Sequence, residues 1–199
     1  MSAPVAPERE ALHPARAAAR RTVADMEATR ETMVPWWEDL ARYFAPRAIK
    51  INPADDSRGN TLNKHLIHEE ALFARRTLSA GLHWGITNPS RQWAGYAMPD
   101  PDLAENAAVK AWLHVVNERT FAVLGGSNFY DVQAGVYDDV GVFGTAAYLV
   151  EEDERDVVRF VPFAVGSYAI ATDERGEVTA FSRTFTMTLR QLVARFGRE

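Results

Sequence analysis

GTAAYLVEEDERDVVRFVPFAVGSYAIATDERGEVTAFSRTFT, residues 144–186, decides the fold of this chain, because its hydrophobic pattern is extended whereas the sequence before it is helical. Runs rich in β-branched and aromatic residues predict four strands, at 145–151, 157–163, 167–172 and 178–186. Polar turns at 152–156 and 173–176 separate the strands of each pair. Strands that follow one another this closely predict a small antiparallel β-meander.

The sequence on either side of this stretch predicts helices. Helix-forming residues fill 15–34, and Pro35 is expected to interrupt that helix before a dense aromatic turn at 36–44. Further helices are predicted at about 60–83, 102–124 and 128–143, and a short closing helix is predicted after a capping-box spacing at 188–191. Helices first and strands second predict the α+β class. We expect a flexible tail at 1–13, a helical region at 14–143, and an antiparallel strand-rich region with its closing helix at 144–199.

Composition places the chain among globular proteins and narrows its functions. Hydrophobic residues make up 47% and charged residues 25% of the 199 residues, enough to bury a substantial core. The 22 Lys and Arg against 27 Asp and Glu give a net charge of −5, which argues against tight non-specific binding of duplex DNA. The sequence has no cysteine, hence no disulfide, thiolate zinc site or cysteine nucleophile. Without a long apolar run or a signal-peptide pattern, no membrane association is expected.

His65-x-x-His68-Glu69-Glu70 is the best candidate for a metal site, because positions i and i+3 share one helix face and imidazoles with a carboxylate can bind zinc. A metal-dependent hydrolase using His65, His68 and Glu69 is therefore an alternative interpretation. The order differs from the H-E-x-x-H of zinc metalloproteases, and the third ligand would have to be Glu69, Glu70 or a distant histidine. We expect a solvated helix face here, with no bound metal and no cofactor.

Other candidate groups have ordinary structural explanations. Asp138-Asp139 and the acidic run 151–154 have the residue types that bind Mg²⁺, but neighbours on a helix point apart and charge at a hairpin tip is solvated. The Gly-Gly-Ser-Asn turn at 125–128 lacks the lysine of a phosphate-binding loop and predicts a helix–helix turn. The tryptophans could form a base-stacking platform, but without a basic groove they are expected in the core or at a subunit contact. They are Trp36, Trp37, Trp84, Trp93 and Trp112.

A series of short motifs occurs along the chain. The first is LSAGLHWGITNPSRQWAGY at 78–96, which contains Gly81, Trp84, Pro89 and Trp93. It is followed by Ser127-Asn128-Phe129-Tyr130, Phe143-Gly144-Thr145-Ala146, Gly166-Ser167-Tyr168 and Met187-Thr188-Leu189-Arg190-Gln191, which ends in Phe196-Gly197. In this order the series resembles the head-to-tail connecting (portal) proteins of short-tailed, T7-like phages, over about residues 36–197. The motif residues are expected in the core or at subunit contacts.

The resemblance implies a structural protein of the virion and not an enzyme. Portal proteins form a ring of twelve subunits at one capsid vertex, through which DNA is packaged and ejected without recognition of its sequence. The resemblance also implies terminase, capsid and tail proteins as partners, and assembly in the host cytoplasm. Because members of the family are several hundred residues long, this chain is expected to be an N-terminal, wing-like portion, without the stem, clip and crown segments. A small independent adaptor or scaffold module is the third interpretation.

Overall fold

Helices precede strands in this chain, and one short helix follows them. The computed structural model describes residues 14–46 and 68–197. Its helices are α1 (Pro14–Phe44), α2 (Glu70–Ile86), α3 (Pro101–Glu105), α4 (Ala107–Gly126), α5 (Phe129–Phe143) and α6 (Leu189–Phe196). Its strands are β1 (Ala147–Asp153), β2 (Val157–Phe163), β3 (Tyr168–Thr172) and β4 (Val178–Arg183). The predicted α+β class and the predicted order of elements are confirmed.

The first helix, α1, runs through Pro35 without a break, so the predicted interruption there is wrong. Proline removes one backbone hydrogen bond from a helix and usually kinks it. Tertiary packing stabilises the helix on both sides of Pro35, because the residues Met26 and Trp37 are buried, with only 5% and 8% of their surface exposed. Tertiary packing therefore outweighs the local cost of the proline. The next helix is predicted to start near residue 60, outside the described residues, but His68 and Glu69 are not helical and α2 begins at Glu70, so the prediction is wrong at these two residues.

Asn106 divides the helix that the sequence predicts over 102–124 into α3 and α4. Its backbone is extended, with φ −67° and ψ 123°. Its side-chain oxygen accepts a hydrogen bond from the backbone N–H of Ala108 at 2.9 Å. An asparagine that caps the start of one helix in this way cannot continue the helix before it. The single predicted helix is therefore corrected to a short helix followed by a long one.

Small residues let α2 and α5 pack closely. The buried hydroxyl Oγ of Ser79 in α2 donates to the carbonyl oxygen of Ala134 in α5 at 3.2 Å. A Cβ placed on Gly141 would lie 3.1 Å from Leu78 Cδ2, closer than carbon atoms normally approach, so a larger residue there would require the Leu78 side chain to shift. The helix then ends at Gly144, whose φ of 74° gives α5 a left-handed cap.

The four predicted strands are present and form two antiparallel hairpins. In the first hairpin, Val150 of β1 lies opposite Phe160 of β2. In the second, Ile170 of β3 lies opposite Phe181 of β4, and the register shifts near the end of β3. Each hairpin is a separate two-stranded sheet in the part of the chain that the structure describes. The predicted antiparallel meander therefore takes the form of two strand pairs.

The chain divides into two compact units. The first unit contains α1 up to Glu38, β3, β4 and α6, and in it the ring of Tyr168 stacks on that of Phe181 with centroids 5.6 Å apart. The second unit contains residues 39–46, α2 to α5, β1 and β2. Its core cluster consists of Phe129, Val132 and Phe160.

Candidate functional site

Four of the predicted motif residues lie together in the core of the second unit. Phe129 belongs to the core cluster, and Trp93 and Tyr130 pack against that cluster. Asn128 lies directly before α5 and contacts Phe160 of β2. We call the group formed by Trp93, Asn128, Phe129, Tyr130 and Phe160 the aromatic junction.

The rings of the aromatic junction meet in defined orientations. Trp93 stacks on Phe129 with centroids 5.8 Å apart and an angle of 9° between the planes. Phe160 and Tyr130 each meet Phe129 edge to face, with centroids 5.1 Å apart. Trp93 Nε1 donates a hydrogen bond to Tyr130 Oη at 3.4 Å. Aromatic pairs of this kind stabilise a fold by about 0.5–1.5 kcal/mol each beyond the area they bury. The junction therefore holds the segment that carries Trp93 against α5 and β2.

Asn128 joins the start of α5 to β2 through two hydrogen bonds. Its Nδ2 donates to the carbonyl oxygen of Phe160 at 2.7 Å, and its Oδ1 accepts from the backbone N–H of Phe160 at 2.9 Å. A side-chain amide offers the same donor and acceptor as a peptide group. Asn128 thus takes the position of a neighbouring strand on the outer edge of β2. The cap of α5 is supplied instead by Ser127, whose Oγ accepts from the backbone N–H of Phe129 at 3.2 Å.

A second asparagine makes the same kind of contact with the segment after α2. Asn117 Oδ1 accepts from the backbone N–H of Tyr96 at 2.7 Å, and its Nδ2 lies 3.5 Å from the carbonyl oxygen of the same residue. A Cβ on the preceding Gly95 would lie 3.4 Å from Asn117 Nδ2, so this backbone approaches the side chain closely. The middle of α4 is therefore tied to extended backbone through Asn117, and its C-terminal end is tied to β2 through Asn128 in the turn that follows.

Polar aromatic contacts continue along α5 beyond the junction. The ring of His83 meets those of Tyr130 and Tyr137 edge to face, with centroids 6.1 and 6.0 Å apart. Tyr137 Oη donates to Thr87 Oγ1 at 3.1 Å, and both side chains are buried. These contacts fix the end of α2 and the turn after it onto α5.

A charged group lies where α2 meets α5. Arg75 Nε is 3.7 Å from Asp138 Oδ1, and neither atom has a hydrogen-bond partner among the described residues. Burial raises the pKa of the neighbouring Asp139 to about 6, the charge of Asp138 adds to the rise, and Arg75 opposes it. The two carboxylates that the sequence singled out thus act on one arginine, at a helix–helix contact.

The remaining motif side chains lie apart from the junction. Trp37 is buried and Tyr168 packs in the first unit. Of the five tryptophans and the Phe196 that closes the motif series, four are more than half exposed: Trp36, Trp84, Trp112 and Phe196. Subunit contacts remain a prediction for these four, because burial among the described residues does not account for them.

Other motif residues act through the backbone. Gly144 and Gly197 follow α5 and α6 with φ of 74° and 79°, so both helices end in a conformation that favours glycine. Thr145 follows the first of these caps in the link to β1, and Pro89 lies in the turn after α2. A Cβ added to Gly81 would meet no described atom within 4 Å, so packing does not explain that glycine.

The predicted metal ligands are only partly described. His65 lies outside the described residues, and exposed His68 and Glu69 lie just before α2. Within 14–46 and 68–197, no group of three or more His, Asp or Glu side chains is arranged to hold a metal ion. The same residues contain no helix with both the length and the apolar character needed to span a bilayer.

Sequence reasoning missed several residues of this site. Phe160 and Asn117 were not singled out, and the contacts of His83 and Thr87 were not predicted, although both lie within the motif at 78–96. Their partners are distant in the sequence: Thr87 bonds a residue 50 positions away, and Phe160 bonds one 32 positions away. The only local signal was the turn-forming Asn88-Pro89 beside Thr87.

Comparison with known proteins gives one family. Residues 16–199 match the family described as "Bacteriophage head to tail connecting protein". Over 177 residues the chain is 38% identical to the portal protein of Salmonella phage epsilon15. The aligned region is 89% of this chain and 32% of that protein. Over 170 residues it is 35% identical to the probable portal protein of Bordetella phage BPP-1. That aligned region is 85% of this chain and 31% of the Bordetella phage protein. The chain spans about a third of the length of these curated relatives.

Proposed function

Because this chain belongs to the bacteriophage head to tail connecting protein family, we propose that it acts in a phage portal protein. The observation that carries the proposal is the continuous match over residues 16–199, together with 35–38% identity to two phage proteins named as portal or probable portal proteins. In this role the chain is a structural component of the virion and performs no bond chemistry.

The intact protein is proposed to act as a ring of twelve subunits at one capsid vertex. DNA would pass through the ring during packaging and ejection, and terminase, capsid and tail proteins would be its partners. Assembly would take place in the host cytoplasm. The net charge of −5 supports passage of DNA without tight binding, since strong non-specific affinity depends on neutralising phosphates with basic side chains.

The geometry of the aromatic junction supports a structural role. Its polar side chains bond to one another or to backbone: Asn128 holds Phe160, and Trp93 donates to Tyr130. Side chains bonded in this way fix a helix and a strand in position.

Electron microscopy of the longest polypeptide that contains this sequence tests the proposal. Closed rings with twelvefold symmetry are the expected result. Monomers or open filaments under conditions in which the protein is folded would contradict it.

Elemental analysis provides an independent test against the hydrolase interpretation. One zinc per chain that His65→Ala removes, and that Glu118→Ala leaves in place, would favour the hydrolase. Glu118 is a suitable control because its side chain is exposed on α4 and is not among the candidate ligands.

A further inference from the structure

The two outer edges of the β1–β2 hairpin differ in whether their backbone groups are paired. On the β2 edge, Asn128 occupies both the N–H and the carbonyl oxygen of Phe160. Two residues further on, Pro162 has no N–H to offer. These two features block an additional strand from pairing with β2 at these positions. Proteins commonly protect the edges of their sheets in this way.

The β1 edge has no such protection. Val150 lies opposite Phe160, and opposed residues of an antiparallel pair point their backbone groups either both inward or both outward. Since Phe160 directs its N–H and carbonyl outward to Asn128, Val150 directs its own groups outward from β1. Because the direction of the backbone groups alternates along a strand, Tyr148 and Glu152, two positions before and after Val150, also direct theirs outward. Among the described residues, none pairs with these outward groups.

The side chains along this edge determine what kind of segment it can accept. Tyr148 and Val150 are 38% and 53% exposed, although the ring of Tyr148 also meets that of Phe160 at 5.8 Å between centroids. Glu152 is exposed and follows on the same face, and acidic residues continue to Glu154 in the turn. The strand itself, AYLVEED, has no basic residue. Along the three outward positions the order is therefore aromatic, β-branched and acidic.

We propose that the β1 edge binds an extended segment of another protein as a third strand, with Lys or Arg beside Glu152 and apolar residues beside Val150 and Tyr148. Three outward pairs of backbone donor and acceptor match an extended chain, which is the mode of recognition by strand addition. Cross-strand neighbours favour opposite charges and apolar pairs, so the side chains set the order of residues in the partner. The β1 strand of a second copy could not supply the basic residue. This interaction goes beyond the portal role.

Peptide binding to the full 199-residue chain tests the proposal. Two capped octapeptides, one alternating Lys with Val and the other Glu with Val, carry a fluorescent label and are followed by anisotropy. We expect the Lys–Val peptide to bind at least about tenfold more tightly, because opposite charges favour cross-strand pairing. Val150→Pro removes an outward N–H while leaving the ladder to β2 intact, and it should weaken that binding at least about tenfold. Equal affinity for the two peptides, or unchanged binding by Val150→Pro, would overturn the proposal.

Charge reversal provides a second test that does not depend on proline. Glu152→Lys should reverse the preference between the two peptides, whereas Glu154→Lys, an identical charge change in the turn, should leave it in place. Equal shifts in both variants would indicate long-range attraction only and would overturn the proposal. The proposal would also be overturned if the chain associated with itself and Val150→Pro abolished that association, since a second copy would then occupy the edge. Circular dichroism establishes that each variant is folded.

Discussion

Gly144 ends α5 in a backbone conformation that side chains resist. Its φ is 74°, and an added Cβ would meet no described atom within 4 Å, so the cost of substitution comes from the backbone and not from crowding. We expect Gly144→Val to lower the free energy of unfolding by about 1–3 kcal/mol. Glu152→Ala, at an exposed position of β1, should change it by less than about 0.5 kcal/mol. Urea denaturation compares the two, and equal midpoints would contradict the backbone argument.

Asp139 makes stability depend on pH. Burial is the main reason that its pKa in the folded protein is about 6, above the ordinary value of 3.8. Folding therefore favours the protonated form, so this contribution to stability is complete below pH 3.8 and is lost as the pH rises through 6. We expect Asp139→Asn to raise the free energy of unfolding at pH 8 by about 1 kcal/mol, a value reduced for the partial exposure of the side chain.

The same variant should have little effect at pH 4, where Asp139 is already protonated in the folded protein. Asp138→Asn is the matched control, because it removes the carboxylate that lies beside Arg75 and should destabilise the protein at pH 8. Urea midpoints between pH 4 and 8 measure both variants. An Asp139→Asn effect of the same size at both ends of this range would rule out titration of this residue as the cause.

At the scale of the elements, Asn128 is the side chain that connects α5 to β2. Asn128→Ala leaves the N–H and carbonyl oxygen of Phe160 without their partner, at a position that is partly buried. We expect a loss of about 2–3 kcal/mol in the free energy of unfolding. Asn106→Ala is the matched control, because it removes one exposed capping bond and should cost about 1 kcal/mol. Thermal and urea unfolding that gave the same loss for both would show that the contact with β2 adds nothing.

The two hairpin turns have similar starts and different ends. In each, an aspartate Oδ1 accepts a hydrogen bond from the backbone N–H two residues further on. The N–H of Arg155 donates to Asp153 at 2.9 Å, and the N–H of Arg175 donates to Asp173 at 2.8 Å. In the β3–β4 turn the positive φ, 81°, falls on a glycine, Gly176. In the β1–β2 turn it falls on Val157, with φ of 68°. A β-branched residue in this region is strained.

Replacement of Val157 should therefore stabilise the protein. Asparagine tolerates positive φ better than valine, and we expect Val157→Asn to raise the free energy of unfolding by about 0.5–1 kcal/mol. Val178→Asn is the matched control: Val178 is similarly exposed at the start of β4, and asparagine is disfavoured in strands. Urea midpoints that fall in both variants would show that the conformation of Val157 carries no strain.

The elements that sequence reasoning predicted correctly are those whose limits depend on close neighbours in the chain. The closing helix α6 is one: Thr188 Oγ1 accepts from the backbone N–H of Gln191, as its capping-box spacing predicts. The continuation of α1 through Pro35 depends instead on tertiary burial, which no local pattern reports. The motif residues of the aromatic junction were recognised, but not the contact of Asn128 with Phe160, because its partners are 32 residues apart.

At the scale of the whole molecule, large apolar side chains remain exposed on several helices. Trp84 of α2 and Trp112 of α4 are 65% and 61% exposed, and Phe73 of α2 is exposed as well. Leu189 and Phe196 are exposed on α6. Exposed apolar surface of this kind is typical of contacts with other chains or other segments. Burial within the described residues does not explain it.

We therefore expect residues 1–199 alone to be folded and to associate weakly, without forming a stable twelve-subunit ring. A closed ring needs two complementary patches on each subunit, whereas scattered apolar side chains favour mixed small species whose size rises with concentration. Light scattering over a range of concentrations measures the association, and far-UV circular dichroism should show mixed α and β content.

The double variant Trp84→Gln and Trp112→Gln should lower the average mass at a given concentration and leave the thermal midpoint nearly unchanged, because both side chains are exposed. Glu118→Gln and Glu154→Gln, also at exposed positions, form the control pair and should leave the mass unchanged. A monodisperse twelve-subunit particle would show that these 199 residues contain both patches, and a disordered spectrum would show that they do not fold by themselves.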